Sequence, residues 1–376
     1  MKEPNIAMKL IKTPKSVDLE ITNKCNLSCR YCCHFTSAGD VGYELPKEEW
    51  LQFFEELNRC AVMSLTISGG EPFCRKDLKE LIEGIKRNRM RFSILSNGTL
   101  ITDDMAEFIA STGRCNIVQV SIDGSVSAMH DTFRGEGSFA RAVNGIKCLQ
   151  KYEVPVTVRV TIHKQNVRTL EDIARLLLED LGIQSFSTNA ASYMGLCRQN
   201  AEQVQLTVEE RSLAMATLLK LNNKYNGRIT AAAGPLSEGQ HWIMMEQARR
   251  EGKERTHGYL SGCGCTMNKL AVRTDGVIVP CNQLSHIELG RINQDDLQEV
   301  WQNHPELKRL RERRKIPLSD FEFCQDCDYI DYCTGNCPAL AYTILSNDTH
   351  PSPDACLKRF LEAGGKLPDE SLLSAA

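Results

Sequence analysis

No stretch of this 376-residue chain is apolar for the length of a membrane span. The N-terminus carries Lys2, Lys9, Lys12 and Lys15, but no apolar core follows them as a secretory signal requires. Both gaps point to a cytoplasmic protein. Charge of one sign is equally scarce. The 45 Lys and Arg against 48 Asp and Glu leave a formal net charge of -3, too little to argue for nucleic acid as the main partner. Hydrophobic content of 42% and charged content of 25% are ordinary for a globular chain, and the length allows two or three domains or one large one.

What the chain has in excess is cysteine. Seventeen of them without a signal peptide argue against a disulfide framework and for metal binding or catalysis. Three stand in one loop near the N-terminus and eight lie between Cys263 and Cys356. The remaining six, Cys33, Cys60, Cys74, Cys115, Cys148 and Cys197, are scattered and read as small buried hydrophobes.

The N-terminal group is Cys25-Asn-Leu-Ser-Cys29-Arg-Tyr31-Cys32, directly after the apolar alternation Val17 to Ile21. Three thiolates on one short loop reach three corners of an iron–sulfur cluster and leave the fourth iron open. An open metal position marks a catalytic site rather than a structural one. The plainer alternative is a zinc knuckle or free cysteines, for which Cys33 and His34 would supply a further ligand.

From residue 17 to about 190, β-branched runs alternate with helical patterns. Strands are predicted at Val17–Ile21, Val62–Ile67, Phe92–Leu95, Ile117–Ile122, Val156–Ile162 and Ser185–Thr188. Helices are predicted at Lys47–Leu57, Lys76–Lys86, Asp103–Ala110, Ser138–Lys151 and Thr169–Leu181. That alternation implies βαβ units, a parallel sheet and an α/β fold, with too few units for a closed (β/α)8 barrel. Chemistry in such folds gathers at the C-terminal strand ends. There the sequence places Ser68-Gly69-Gly70-Glu71-Pro72, then Ser96-Asn97-Gly98, then Ser121-Ile122-Asp123-Gly124. Ser96, Asn97, Ser121 and Asp123 are suited to ribose hydroxyls, or equally to capping and turn roles.

The cysteine loop with Tyr31 before its last cysteine, and the Gly69-Gly70-Glu71 turn one βα unit later, resemble the radical S-adenosylmethionine (SAM) enzymes. The resemblance implies an open six-stranded partial (β/α)6 barrel, with a [4Fe–4S] cluster on Cys25, Cys29 and Cys32. Its open iron would be chelated by the amine and carboxylate of S-adenosylmethionine, which is cleaved to a 5′-deoxyadenosyl radical. Gly69, Gly70 and Glu71 would meet the cofactor's amino group. The segment His130-Asp131-Thr132-Phe133-Arg134-Gly135 resembles one common in the peptide-modifying branch, making Arg134 the candidate for the cofactor carboxylate ahead of Arg159. Lys164 to Asn166 and Asn189 to Gly195 would complete the adenosine pocket.

Farther along, Thr207–Tyr225 reads as an amphipathic helix, Arg228–Ala233 as a short strand and Gly239–Glu251 as a helix, with Arg249–Gly262 a linker. Asp275-Gly276 between apolar runs is a hairpin signal that brings Cys265 and Cys281 to neighbouring strand ends. The pattern Cys263, Cys265, Cys281, then Cys324-x2-Cys327-x5-Cys333-x3-Cys337, then Cys356, resembles the SPASM extension of that family. By resemblance Cys324, Cys327, Cys333 and Cys356 hold one auxiliary [4Fe–4S] cluster. Cys281, Cys337 and one or both of Cys263 and Cys265 hold a second. Two zinc sites are the alternative for the isolated domain. The run Lys308–Lys315 reads as a solvated helix face, or as a docking patch for an acidic peptide or redox partner. The expected boundaries are 1–16, an N-terminal segment; 17–200, the barrel; 201–260, a bridging helical region; 261–360, the SPASM domain; and 361–376, a tail.

The resemblance implies maturation of a ribosomally made peptide by thioether formation, carbon–carbon crosslinking or backbone excision, with a flavodoxin- or ferredoxin-type reductant. Sulfatase-maturing relatives carry an aspartate where this chain has Asn282, which argues against that activity. About sixteen residues precede the first strand, too few for a leader-binding domain, so a separate partner protein is expected to bind the leader. A haem-precursor enzyme of the same superfamily is the rival reading, and a non-catalytic metal scaffold the rival of another class. No acid or base stands out, and Tyr193, Cys197 and His163 are explained equally well by core packing.

Overall fold

A computed structural model describes residues 10–34, 43–254, 257–261 and 265–373. Six strands, β1 Ser16–Glu20, β2 Ser64–Ser68, β3 Arg91–Ser96, β4 Cys115–Ser121, β5 Val156–Ile162 and β6 Phe186–Ala190, pair in parallel and in sequence order. Helices α1 Lys47–Arg59, α2 Leu78–Arg87, α3 Asp103–Ser111, α4 Ser127–Arg134, α5 Ser138–Lys151 and α6 Leu170–Arg175 occupy the connections. The last of these winds on as a π-helix, Leu176–Asp180, within the single helix expected there. The sheet runs further than the six strands expected. Strand β7 Ile229–Ala231 adds to β6 in parallel, and β8 Lys269–Val272 adds to the free side of β1, also in parallel. Strands β9 Val277–Val279 and β10 Gly290–Arg291 then continue antiparallel, giving ten strands with two unjoined edges among the described residues. The barrel stays open.

Each strand alternates. Val17, Leu19, Leu65, Ile67, Phe92, Ile94, Val118, Val120, Val158 and Val160 are almost fully buried, against helix faces such as Trp50, Phe53, Phe54 and Leu57 of α1. Each such side chain contributes about 1.5–3 kcal/mol by leaving water. Between them stand Ser64, Thr66, Ser93, Gln119, Ser121, Thr157, Arg159, Ser187 and Asn189, all only partly buried. A closed barrel fills this inner face with branched apolar side chains. Here the inner face is polar, as a lumen that admits a ligand requires.

The middle segment is held to both sides. Helix Val208–Lys224 starts with a capping box between Thr207 and Glu210. Helix Pro235–Arg250 starts with proline in its first turn, four residues ahead of the expected Gly239. Its Trp242 packs on Phe360, ring centroids 4.9 Å apart, in the helix Leu357–Glu362 that follows Cys356. No helix among the described residues is long and apolar enough to cross a membrane.

Candidate active site

The cysteine loop is held by main chain on one side and by a polar network on the other. Ile21 N–H donates to Ser68 O (3.0 Å), Gly70 N–H to Thr22 O (2.7 Å) and Glu71 N–H to Lys24 O (2.7 Å). The glycine turn after β2 thus lies along the chain entering the cysteine loop. A Cβ on Gly69 or Gly70 would stand 2.3 Å from the carbonyl oxygen of Thr22 or Lys24. The two glycines are therefore required first by the protein's own backbone, before any ligand. Arg75 ties the same segment down, its Nη1 bonding Ile21 O (2.5 Å) and its Nη2 Leu45 O (2.9 Å).

Glu71 is buried with its carboxylate already engaged. It accepts from Ser96 Oγ (2.8 Å), Asn97 N–H (2.7 Å) and Phe73 N–H (3.2 Å). Burial pushes its pKa up to about 7, with the bonds from Asn97, Ser96 and Phe73 pulling the other way. Asn97 in turn donates to Asn26 Oδ1 (2.9 Å) and reaches Cys25 Sγ (3.9 Å). Ser96 and Asn97 line the cleft described below, yet their side chains brace the loop. Of the residues suited to ribose, Ser121 alone lines the cleft with no side-chain hydrogen bond among the described residues.

Asp123 takes a different place from the one its strand-end position suggests. It is 1% exposed and accepts from Tyr31 Oη, from Arg134 Nε (2.5 Å) and, through its other oxygen, from Thr161 N–H (2.7 Å). With both oxygens committed, it is a bracket between the cysteine loop, α4 and β5. Helix α4, absent from the expectations, explains the His130 to Gly135 segment. His130 Nδ1 accepts from Asp123 N–H (3.1 Å), while Asp131 accepts from Gly137 N–H, Ser138 Oγ and Phe139 N–H and so starts α5. Phe133 stacks on His163 at 4.3 Å. The Arg134 guanidinium lies 5.3 Å from the Tyr31 ring centroid.

Cys25, Cys29, Tyr31, Cys32, Gly69, Gly70, Glu71, Ser121, Arg134, Thr161 and Asn189 line one cleft at the C-terminal strand ends. Its open volume is about 1020 Å³, including solvent at the mouth. Burial pushes the Cys25 thiol up to about 11 and the Cys29 thiol up to about 12. Arg134 lowers the latter, while Cys32 and Cys25 raise it further. Three thiolates this close repel one another unless a cation joins them, so the donor set fits a metal cluster. Among the described residues no three such side chains stand in ready-made coordination. The fit rests on donor chemistry and shared cavity. On β5, Arg159 reaches Gln119 Oε1 (3.2 Å) on the inner face, level with Ser121 and Ser187.

A second cavity, about 430 Å³, is lined by Cys324, Cys327, Cys333 and Cys356 together with Phe323, Ile330, Leu357 and Lys358. Burial pushes Cys324 up to about 12 and Cys333 up to about 11; Cys333, Cys356 and Cys327 add to the first, and Cys356 and Cys327 to the second. Four mutually repelling thiols in a largely apolar cavity fit one four-thiolate cluster. Cys265 opens the helical turn Cys265–Asn268 before β8. Cys281 follows β9, and Ala271 stands opposite Val279 in that hairpin. Cys337 caps the helix Pro338–Leu345. Cys263 lies outside the described residues. In the basic run Lys308, Glu312 and Lys315 are exposed, while two of its arginines are engaged by the fold. Arg313 is fully buried, bonding carbonyl oxygens of Asp348, Ser261, Asn336 and His350. Arg309 forks onto the Asp348 carboxylate (2.7 and 2.8 Å).

Residues 19–177 match the family model described as the Radical SAM superfamily, and residues 263–328 match SPASM, an iron–sulfur cluster-binding domain. The chain is 28% identical over 355 residues to an AdoMet-dependent heme synthase of Methanosarcina barkeri, covering 92% of this chain and 97% of that one. It is 24% identical to a PqqA peptide cyclase of Granulibacter bethesdensis, over 93% of this chain and 88% of the relative. In fold it resembles SuiB of Streptococcus suis, solved with its precursor peptide SuiA. The TM-score is 0.70 at 16% identity, covering 93% of this chain and 77% of that one.

Proposed function

For a chain that belongs to the radical SAM superfamily and carries a SPASM domain, we propose an enzyme that reductively cleaves S-adenosylmethionine and abstracts hydrogen from a ribosomally made peptide. The observation that carries the reading is one cleft holding the three loop sulfurs, the Gly69-Gly70 backbone and Arg134. Cys25, Cys29 and Cys32 would hold a [4Fe–4S] cluster, which with S-adenosylmethionine bound supplies a 5′-deoxyadenosyl radical. The chain's own part is positioning. Arg134, held through Nε by Asp123, lines the cleft, where its guanidinium would suit the cofactor carboxylate. Glu71, braced by Ser96 and Asn97, sets a carboxylate where an ammonium group is favoured. Tyr31 and Phe133 exclude water behind the loop. The peptide substrate is supported by relatives named for peptide cyclisation and by a like fold solved with a precursor peptide.

A second reading, a haem-precursor enzyme, has specific support. The heme synthase relative matches over nearly its whole length. Arg159 meets no carboxylate among the described residues, and burial alone lowers its pKa. A substrate carboxylate, such as a propionate, would suit it.

The test is anaerobic incubation with S-adenosylmethionine and dithionite, with either the peptide of a neighbouring short reading frame or iron coproporphyrin III. A mass change in the peptide is expected. Decarboxylation of the porphyrin instead would move the assignment to the second reading, and absence of 5′-deoxyadenosine in both would end the enzyme reading. Arg134→Lys keeps the charge but loses the fork, so the Kd for S-adenosylmethionine is expected to rise about tenfold. Equilibrium dialysis showing unchanged affinity would remove Arg134 from the cofactor site.

A further inference from the structure

Arg311 stands two residues before the buried Arg313, and its Nη1 and Nη2 are both buried without a hydrogen-bond partner. Its Nε donates to Thr266 O (2.8 Å), the residue after Cys265. The guanidinium lies 4.5 Å from the Trp301 ring centroid. That contact serves its face, but a ring beneath it cannot accept in-plane N–H groups. No carboxylate among the described residues acts on it. Burial alone lowers its pKa, to about 10. A half-buried guanidinium whose Nη donors are buried and idle calls for an anion that accepts hydrogen bonds.

The chain brings one candidate anion to this place. His286, five residues past Cys281, stacks on Tyr342, five past Cys337, at 3.7 Å. Arg313 bonds Asn336 O (3.3 Å), next to Cys337. These contacts and the Thr266 bond gather the segments that carry Cys265, Cys281 and Cys337. A thiolate-ligated [4Fe–4S] cluster is net negative, and its potential follows net charge and hydrogen bonds to sulfur.

Resting on the radical SAM/SPASM reading above, we propose that Arg311 faces the second auxiliary cluster, the one with Cys265, Cys281 and Cys337. There it donates to the cluster's sulfurs and raises its reduction potential. Arg311 is a positioning and tuning residue, not a catalytic one.

The test is a potentiometric titration followed by electron paramagnetic resonance on the anaerobically purified full chain. Wild type, Arg311→Gln, Arg311→Lys and the exposed control Lys315→Gln are compared, and Cys337→Ala identifies the signal of the second auxiliary cluster. Arg311→Gln is expected to move that signal's potential to a more negative value, with the other signals and Lys315→Gln unmoved. Arg311→Lys, keeping charge but not fork, is expected to lie between. Equal potentials in all four proteins overturn the proposal. If Arg311→Gln loses its iron on purification, the spectrum of Arg311→Lys decides: a changed line shape for that cluster supports the contact, and an unchanged one overturns it. A chain holding zinc, or iron only at the N-terminal loop, ends the SPASM reading and this proposal with it.

Discussion

Asp123→Asn is expected to destabilise the chain by about 3–5 kcal/mol, the usual cost of leaving one member of a buried ion pair alone. Asp123 and Arg134 are both almost without solvent contact. The carboxylate accepts from Tyr31 Oη, Arg134 Nε and Thr161 N–H. An asparagine returns one oxygen and turns an NH2 group toward other donors, with the arginine uncompensated. Burial pushes the Asp123 carboxyl up, but Arg134, His130 and His163 together outweigh it and hold the pKa below the usual carboxylate range. The folded state therefore binds this proton less readily than the unfolded chain. The stability from Asp123 is fully present above the ordinary aspartate value near 3.9 and is lost as pH falls through the lower folded value. Urea unfolding at neutral pH reads the main effect. A change under about 1 kcal/mol would contradict the bracket role.

Gly70→Ala is expected to leave the helices folded but to displace the cysteine loop. Its Cβ would stand 2.3 Å from Lys24 O, and that oxygen already accepts from Glu71 N–H (2.7 Å). Lys24 precedes the first cluster cysteine, so a backbone shift there moves Cys25 itself. Misplacing reacting groups by about 1 Å can cost about 100-fold in rate. A loss of that size in 5′-deoxyadenosine formation is the expected result, together with reduced iron occupancy. Gly69→Ala meets Thr22 O equally closely and adds backbone strain, because Gly69 has φ of +134°. Full iron and a near wild-type rate in Gly70→Ala would show that the turn serves some other end.

Much of this architecture is written in period and spacing. The two-residue alternation through Val17–Leu19 and Val158–Val160 locates the strands, because only one face meets helices. The Cys-x2-Cys-x5-Cys pattern anticipates three thiols that share one cavity with Cys356. What sequence reading missed was long-range. Nothing local in Lys269–Val272 says that it pairs with β1, more than 250 residues earlier, for parallel pairing carries no turn signal. Asp123 looked like a ligand contact because it ends a strand. Its partners come from three other segments, and α4, which delivers Arg134, opens with Val126 as its cap and no capping side chain. Within the Lys308–Lys315 run, Arg313 departs from a solvated face for a similar reason. Charge reads as solvent exposure until the carbonyls that receive Arg313 are brought together by the fold.

In the function proposed above, the loop Cys25 to Cys32 holds a catalytic iron–sulfur cluster beside two auxiliary ones. Iron and sulfide content of anaerobically purified protein, compared with a variant replacing Cys25, Cys29 and Cys32 by alanine, tests it most directly. About twelve irons in the intact chain and about eight in the variant are predicted for three [4Fe–4S] clusters. Zinc in place of iron, or the same iron content in both proteins, would contradict the claim.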